Sequence, residues 1–311
     1  MPKKIPSKIV EIRQFIKPEL DYNSQKSISY SQTLAYNTCP HQWALSYVKN
    51  LQEYKPSIHT VFGTAFHETL QEWLTQLYEG TVKSAMEMDL DKLLLSKMQS
   101  VYAAEKEKYG QHFSNAQELS EFHDDGVEIL KYVKKKRSAF FATKYTKLVG
   151  VEIPLLHQIV PNIFFKGYID LVLYDEQQDR YTILDIKTST SGWNQYAKKD
   201  DKKLAQLLLY KEFLAKQFQI DVEKVDVKYF IVKRKVPADP DYPAMGKRVQ
   251  EFIPPSGKIK RGQASNSLMK FIQDAFDDKG QYIDKDYEKI PSKSNCNFCP
   301  YRSTEHCSSG F

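Results

Sequence analysis

Asp170 and Asp185 lie in two largely apolar runs, Phe164 to Tyr174 and Tyr181 to Lys187, joined by the polar stretch Asp175-Glu176-Gln177-Gln178-Asp179-Arg180. This pattern predicts two antiparallel strands and a turn. A turn centred between Gln177 and Gln178 makes opposed positions sum to 355, which sets Asp170 directly against Asp185. Side chains alternate along a strand, so Lys187 joins the two acids on one face with Val172, Tyr174, Tyr181 and Ile183; Leu171, Leu173, Thr182, Leu184 and Ile186 take the other. Like charges opposed on neighbouring strands destabilise a sheet unless a cation separates them. Oxygen ligands suit magnesium or manganese, ions that activate water and shield a phosphodiester under in-line attack. Lys187 would then orient the water or stabilise charge developing on the phosphate. An isolated Asp-x-Lys on an edge strand would be a surface salt bridge and no more.

Other residues could join this chemistry. Gln206 and Tyr210, four apart, share one helix face, although Leu207 to Leu209 between them read as core. His67 sits beside an apolar helical stripe, a setting that also suits a purely structural histidine. Glu152, in Val151-Glu152-Ile153, is either a further acid for the site or an exposed strand residue. The chain's four cysteines are Cys39, followed by Pro40, and the late triad Cys296, Cys299 and Cys307. No thioredoxin-like unit surrounds the C-x-x-C pair, and in a reducing compartment such thiols bind metal more often than they form disulfides. Four thiolates hold either a structural zinc or a four-iron, four-sulfur cluster, and spacing alone does not choose.

The elements that must position these residues follow from periodicity. Residues 1–27 read as an irregular N-terminal arm and 28–311 as one domain. Ser31 is a candidate N-cap for a helix interrupted near Pro40, which places Cys39 at a helix junction. A helix from about Val61 to Tyr78 carries Phe62, Phe66, Leu70, Trp73, Leu74 and Leu77 at helical spacing. Residues 85–147 read as a helical insertion, 148–187 as strands, about 200–218 as a helix and 225–232 as a further strand. A loop with one short strand (233–262), a helix (265–278) and a cysteine cap (about 290–311) complete the chain.

With 311 residues, 41% hydrophobic and 27% charged, the composition is that of a globular protein rather than a disordered or fibrous one. The start lacks an apolar leader core and no apolar run approaches a bilayer span, so a cytoplasmic protein is expected, in a host cytoplasm if phage-encoded. Net charge is only +6. Local basic runs matter more: Lys198, Lys199, Lys202 and Lys203; Lys233-Arg234-Lys235; and Lys258-Ile259-Lys260-Arg261 are candidate phosphate contacts, with Trp43, Tyr196 or Tyr210 available to stack on unpaired bases. No phosphate-binding Walker sequence occurs, so any helicase must be a separate subunit.

Gly167-Tyr168-Ile169-Asp170, a hairpin, Asp185-Ile186-Lys187, and then Gln206-Leu207-Leu208-Leu209-Tyr210 resemble the PD-(D/E)XK nuclease superfamily, specifically its RecB-like branch. Phe62-Gly63-Thr64-Ala65-Phe66-His67 matches the setting of that branch's metal-binding histidine. Cys39-Pro40-His41-Gln42-Trp43 and Asn295-Cys296-Asn297-Phe298-Cys299-Pro300 resemble the iron-sulfur subset, which includes the AddB nuclease domain and the CRISPR-adaptation nucleases. The resemblance implies an α/β mixed sheet flanked by helices, with a helical insertion and an iron-sulfur cap. It also implies that His67, Asp170, Asp185 and the Ile186 carbonyl hold magnesium or manganese, that Lys187 is catalytic, and that Gln206 and Tyr210 sit near the DNA strand or the attacking water. At the cysteines it implies a four-iron, four-sulfur cluster, with zinc the alternative. The activity implied is DNA cleavage, exonucleolytic on single strands or ends, in recombination, repair or replication, with a helicase or recombination protein as partner and CRISPR adaptation as a variant setting. The rival reading is a non-catalytic nucleic-acid-binding or assembly protein that keeps the fold; intact His67, Asp170, Asp185 and Lys187 argue against it.

Overall fold

The computed structural model describes residues 6–52, 54–141, 144–239 and 241–308. The chain begins with α1 (Ser7–Gln14), β1 (Lys26–Ile28), α2 (Tyr30–Thr38), α3 (Pro40–Tyr47) and α4 (Ile58–Glu79). The helical insertion follows as α5 (Val82–Glu87), α6 (Leu90–Tyr109), α7 (Ala116–Lys135) and α8 (Arg137–Phe140). Then come β2 (Thr146–Val160), β3 (Ile163–Asp175), β4 (Arg180–Ser189), α9 (Gln195–Lys199), α10 (Asp201–Gln217), β5 (Val225–Lys233), β6 (Val249–Phe252), α11 (Lys258–Ala275) and α12 (Lys293–Cys296).

Local chemistry sets these boundaries. Ser57 caps α4 by accepting from the Thr60 N–H, and the apolar stripe from Phe62 to Leu77 is buried along it. Cys39 is extended at the α2–α3 junction, with Pro40 at the first helical position, where its missing N–H costs nothing. The N-cap of α2 is Ser29, not Ser31, because Ser29 adopts the extended backbone and accepts from the Gln32 N–H. Asn115 starts α7, and Gly110 ends α6 at φ +82°, a conformation open mainly to glycine.

The first 27 residues are an irregular arm only in part: residues 15–25 carry no helix or strand, but α1 and β1 on either side are built into the fold. Ile9 and Ile12 of α1 are buried, and Arg13 donates to the carbonyls of Leu148 and Val149, where β2 bulges. β1 pairs in parallel with the start of β3. Residues 1–5, 142–143 and 309–311 of the expected arm, insertion and cap lie outside the described residues.

The sheet is mixed. Its path runs β1-β3-β4-β5-β6, with β2 also paired to β3. The β3–β4 hairpin has the expected register, from Leu171↔Leu184 to Asp175↔Arg180. One core packs α1, α2, α10 and α11 with Val172 and Ile183; the other packs α4, α6 and α7 with Leu171, Leu184 and Phe230. Helices thus cover both faces.

β3 organises what matters here. β2 occupies one edge of it almost throughout; on the opposite edge β1 pairs with Ile163 to Phe165 and β4 with Leu171 to Asp175. Residues 166–170 are therefore left bare on that edge. At the same place the strand rolls: Ile169 belongs to one core and Leu171 to the other, although a regular strand would place both on one face. Opposite them Glu152 takes φ +48°, a strained value for a side chain in a strand.

Candidate active site

Beyond Leu171↔Leu184 the hairpin partners separate and β4 continues alongside β5, from Tyr181↔Val225 to Ser189↔Lys233. Asp170 and Asp185 stand at this fork. The N–H and C=O of one strand residue point the same way, and those of Ile186 are turned into the gap. Its N–H donates to Asp170 Oδ2 at 2.7 Å, and its main chain also bonds His67. His67, delivered by α4, places Nδ1 3.6 Å from the same Asp170 oxygen. His67, Glu152 and Asp170 bring their ligand atoms within 4.8 Å of one another.

Asp185 stands outside that group. It is only 2% exposed, and its Oδ2 lies 2.8 Å from Lys187 Nζ yet has no hydrogen-bond partner. The ammonium balances charge there without an aligned donor. Lys187 Nζ also donates to Gln206 Oε1 at 2.9 Å, and Gln206 Nε2 reaches the Tyr210 hydroxyl at 3.4 Å. Gly167 fits closely at this point: a Cβ there would lie 3.0–3.2 Å from the Tyr210 ring and hydroxyl, so a side chain would press the tyrosine of α10 away from β3 by a few tenths of an ångström.

The buried charges are in tension. Burial first, then Asp185, raise the Asp170 carboxyl well above the usual carboxylate range, Glu152 adds to this, and Lys187 and the Ile186 N–H only partly offset it. Asp185 is raised by burial against the pull of Lys187. Burial, helped by Lys187, lowers His67 to about 4, which keeps the imidazole neutral with a lone pair to offer. Tyr210 is pushed up to about 12, chiefly by burial, and stays a phenol. Gathered acids held towards protonation and a neutral imidazole make a donor set that fits a hard divalent cation.

Two members of the site escape sequence reasoning in part. Gln71 is 5% exposed and donates through one amide nitrogen to Glu152 Oε1 at 2.6 Å and to the Asp170 carbonyl at 3.0 Å. Its signal was its place four residues after His67, on the same helix face. Glu152 draws its importance from the distorted strand, which no local pattern announces.

The basic runs divide sharply. Lys233 and Arg234 are buried, Arg234 bonding Asp125 at 2.9 Å and lying 3.6 Å from the Phe122 ring centre, while Lys235 pairs with Glu121 and Asp125. Arg261 is buried between Glu212 and Glu223, and Lys260 pairs with Asp201. Lys233, Arg234 and Arg261 thus bind the fold together and are not available to phosphates, whereas Lys235 and Lys258 stay exposed. Lys199, Lys202 and Lys203 are exposed and Lys198 half-buried. Trp43 and Tyr210 are buried, so neither can stack on a base; Tyr196 is exposed.

Cys39, Cys296, Cys299 and Cys307 all border one small pocket with His41, Ile290 and Tyr301, and none is in a disulfide. Burial, with the nearby thiols adding to it, raises the Cys299 thiol. Among the described residues, no three of these sulfurs join a set of ligand atoms within 4.8 Å of one another. The tail is tied to the α2–α3 junction by Asn295 Nδ2 donating to the Thr38 carbonyl at 3.0 Å and by His41 Nε2 at 3.1 Å from the His306 carbonyl.

Among the described residues no helix is long and apolar enough to cross a membrane. No curated protein matches the chain. A crystal structure of a "Putative exonuclease" from Eubacterium rectale is similar in outline, with a TM-score of 0.45 and 11% identity over 83% of this chain and 85% of that one, a likeness too distant to carry an argument. A sequence profile of the PD-(D/E)XK nuclease superfamily matches residues 27–304. That span takes in the forked acids, the lysine, the upstream histidine and the glutamine–tyrosine helix: the chain belongs to the PD-(D/E)XK nuclease superfamily.

Proposed function

We propose that the protein hydrolyses phosphodiester bonds of DNA as a divalent-metal-dependent exonuclease, acting on single strands or strand ends in recombination, repair or replication. The observation that carries the reading is the convergence of His67, Glu152 and Asp170 within 4.8 Å at the strand fork, beside the Asp185–Lys187 pair. His67, Asp170 and Glu152 would hold magnesium or manganese, with Asp185 and the Ile186 carbonyl completing the site. When bound, the ion supplies an activated water and neutralises charge at the phosphate.

The chain's own groups do the rest. Ile186 N–H fixes the Asp170 carboxylate, and Gln71 holds Glu152 and the β3 backbone in the strained geometry. Lys187, held between Asp185 and Gln206, directs a proton-bearing nitrogen at the oxygen on which charge develops. Tyr210, a phenol at neutral pH, buttresses Gln206. Lys198, Lys199, Lys202 and Lys203 supply the positive field that draws in the backbone.

The four cysteines are proposed to hold a four-iron, four-sulfur cluster. The support for this reading is that all four thiols border one small pocket and none is in a disulfide. Anaerobically purified protein should then contain about four irons per chain; stoichiometric zinc without iron would refute this.

For the activity, DNA labelled at either end, single-stranded and duplex, should shorten in the presence of manganese or magnesium and remain intact with chelator or with the Asp185→Asn variant. Intact substrate with the parent protein under all these conditions, or full cleavage by the variant, would refute the reading.

A further inference from the structure

We propose that Tyr168 is the residue that selects single-stranded substrate: its ring stacks on an unpaired base while the adjoining phosphodiester reaches Asp170. The inference rests on the nuclease reading above and names the group that reads strandedness.

Residues 166–170 form the stretch of β3 whose edge β1 and β4 leave bare. Lys166, Tyr168 and Asp170 alternate along it, and all three line one groove of about 480 Å³, faced across by Ser27, Ser29 and Ser31 and reached by Glu152 and Gln206. At about 3.3 Å per strand residue the three side chains span roughly 13 Å, enough for a short extended piece of nucleic acid. The order along the track is cation, aromatic ring, metal-site carboxylate. The Lys166 side chain makes no ion pair among the described residues.

Tyr168 is unlike the structural aromatics around it. It is 42% exposed between the buried Gly167 and Ile169, whereas Tyr210 and Phe165 are buried. Yet it is not loose: Lys17 Nζ donates to its hydroxyl at 2.8 Å, which braces the ring by its polar end. A braced, open ring one strand pleat from Asp170 is a stacking platform. Every base has a π face, so the platform reads no sequence; in a duplex the bases already stack on one another and gain nothing from it. The other exposed aromatics among the described residues, Tyr22, Tyr54, Tyr145, Tyr196, Tyr242 and Phe298, do not line this groove.

The test is binding of a fluorescent single strand and its duplex by anisotropy, with calcium replacing magnesium so that cleavage does not intervene. Tyr168→Ala should weaken single-strand binding about tenfold and leave duplex binding within about twofold. Tyr168→Phe, which keeps the ring, should stay near the parent. With the parent alone, an abasic residue moved along the oligonucleotide should weaken binding at one position, and Tyr168→Ala should erase that penalty. Equal losses on both substrates, unchanged single-strand binding, a Tyr168→Phe variant as weak as Tyr168→Ala, or a parent indifferent to every abasic position would each overturn the proposal. Cleavage by the parent and its loss in Asp185→Asn decide the nuclease reading separately, so an active parent with an indifferent Tyr168→Ala removes the stacking role alone.

Discussion

The strand fork and the cysteine tail are both sites of potential metal ligands, but the protein prepares them differently. At the fork the donors are held before any ion arrives: Asp170 by the Ile186 N–H, Glu152 by Gln71, and Lys187 by Gln206, all on long strands and helices. Charges that repel are buried there, and the two cores of the sheet bear the cost. In the tail the thiols ride on turns and the four-residue α12, secured to the α2–α3 junction by a few hydrogen bonds. The lesson is that the fold holds the first site in shape, whereas the second site, once filled, would hold the fold.

The comparison breaks most visibly if either half behaves like the other. Lys187→Ala, and likewise Asp185→Asn, should reduce cleavage on the order of 10²- to 10³-fold, while the melting temperature stays close to that of the parent. A large drop in melting temperature would make these residues structural. Cys39→Ser and Cys307→Ser should do the reverse. A crosslink from Cys39 to Cys307 closes nearly the whole chain, and losing it should cost about 5–6 kcal/mol by the loop-entropy argument. Calorimetric melting measures this, and activity should fall only in proportion to unfolded protein. A fully stable, metal-free Cys39→Ser protein would end the distinction.

Smaller effects sharpen the first half. Gln71→Leu removes the amide that holds Glu152 and the Asp170 carbonyl, and should weaken manganese binding 10- to 100-fold without abolishing it; unchanged affinity would leave Gln71 a core residue. The smallest effect is on pH. Because the folded Asp170 carboxyl holds its proton above the usual carboxylate range, an incoming cation must displace that proton, so affinity should rise with pH through the raised pKa and level off above it. His67, at about 4, adds no proton competition near neutrality. Binding heats in two buffers of different ionisation enthalpy would reveal the released proton, and identical heats would mean Asp170 is already ionised.

What was legible in the sequence was what local pattern controls. The polar turn between two apolar runs determined the hairpin register from Leu171↔Leu184 to Asp175↔Arg180, and an apolar stripe marked α4; the direct opposition of Asp170 and Asp185 did not follow, because the two strands part just before that pair. What escaped depends on distant partners. β1 is three residues long and α1 eight, too short for a period to show, and their burial comes from the sheet they meet. Arg234 and Arg261 read as solvent-facing cations because their acids, Asp125 on α7 and Glu212 and Glu223 around α10, are far away in the chain. α11 starts at Lys258 rather than Ser265 because Arg261 is drawn into that buried network. Trp43 read as a stacking surface, but it packs against Phe271, Tyr282 and Tyr287 at the centre of an aromatic cluster.

The central claim is that the fork is a preformed site for one hard divalent cation. Calorimetric titration of manganese into the parent and into the His67→Ala, Glu152→Gln and Asp170→Asn variants tests it most directly. The account predicts one ion per chain in the parent, at least tenfold weaker binding in each variant, and unchanged far-ultraviolet circular dichroism throughout. Parent-like affinity in all three variants would place the ion elsewhere and contradict it.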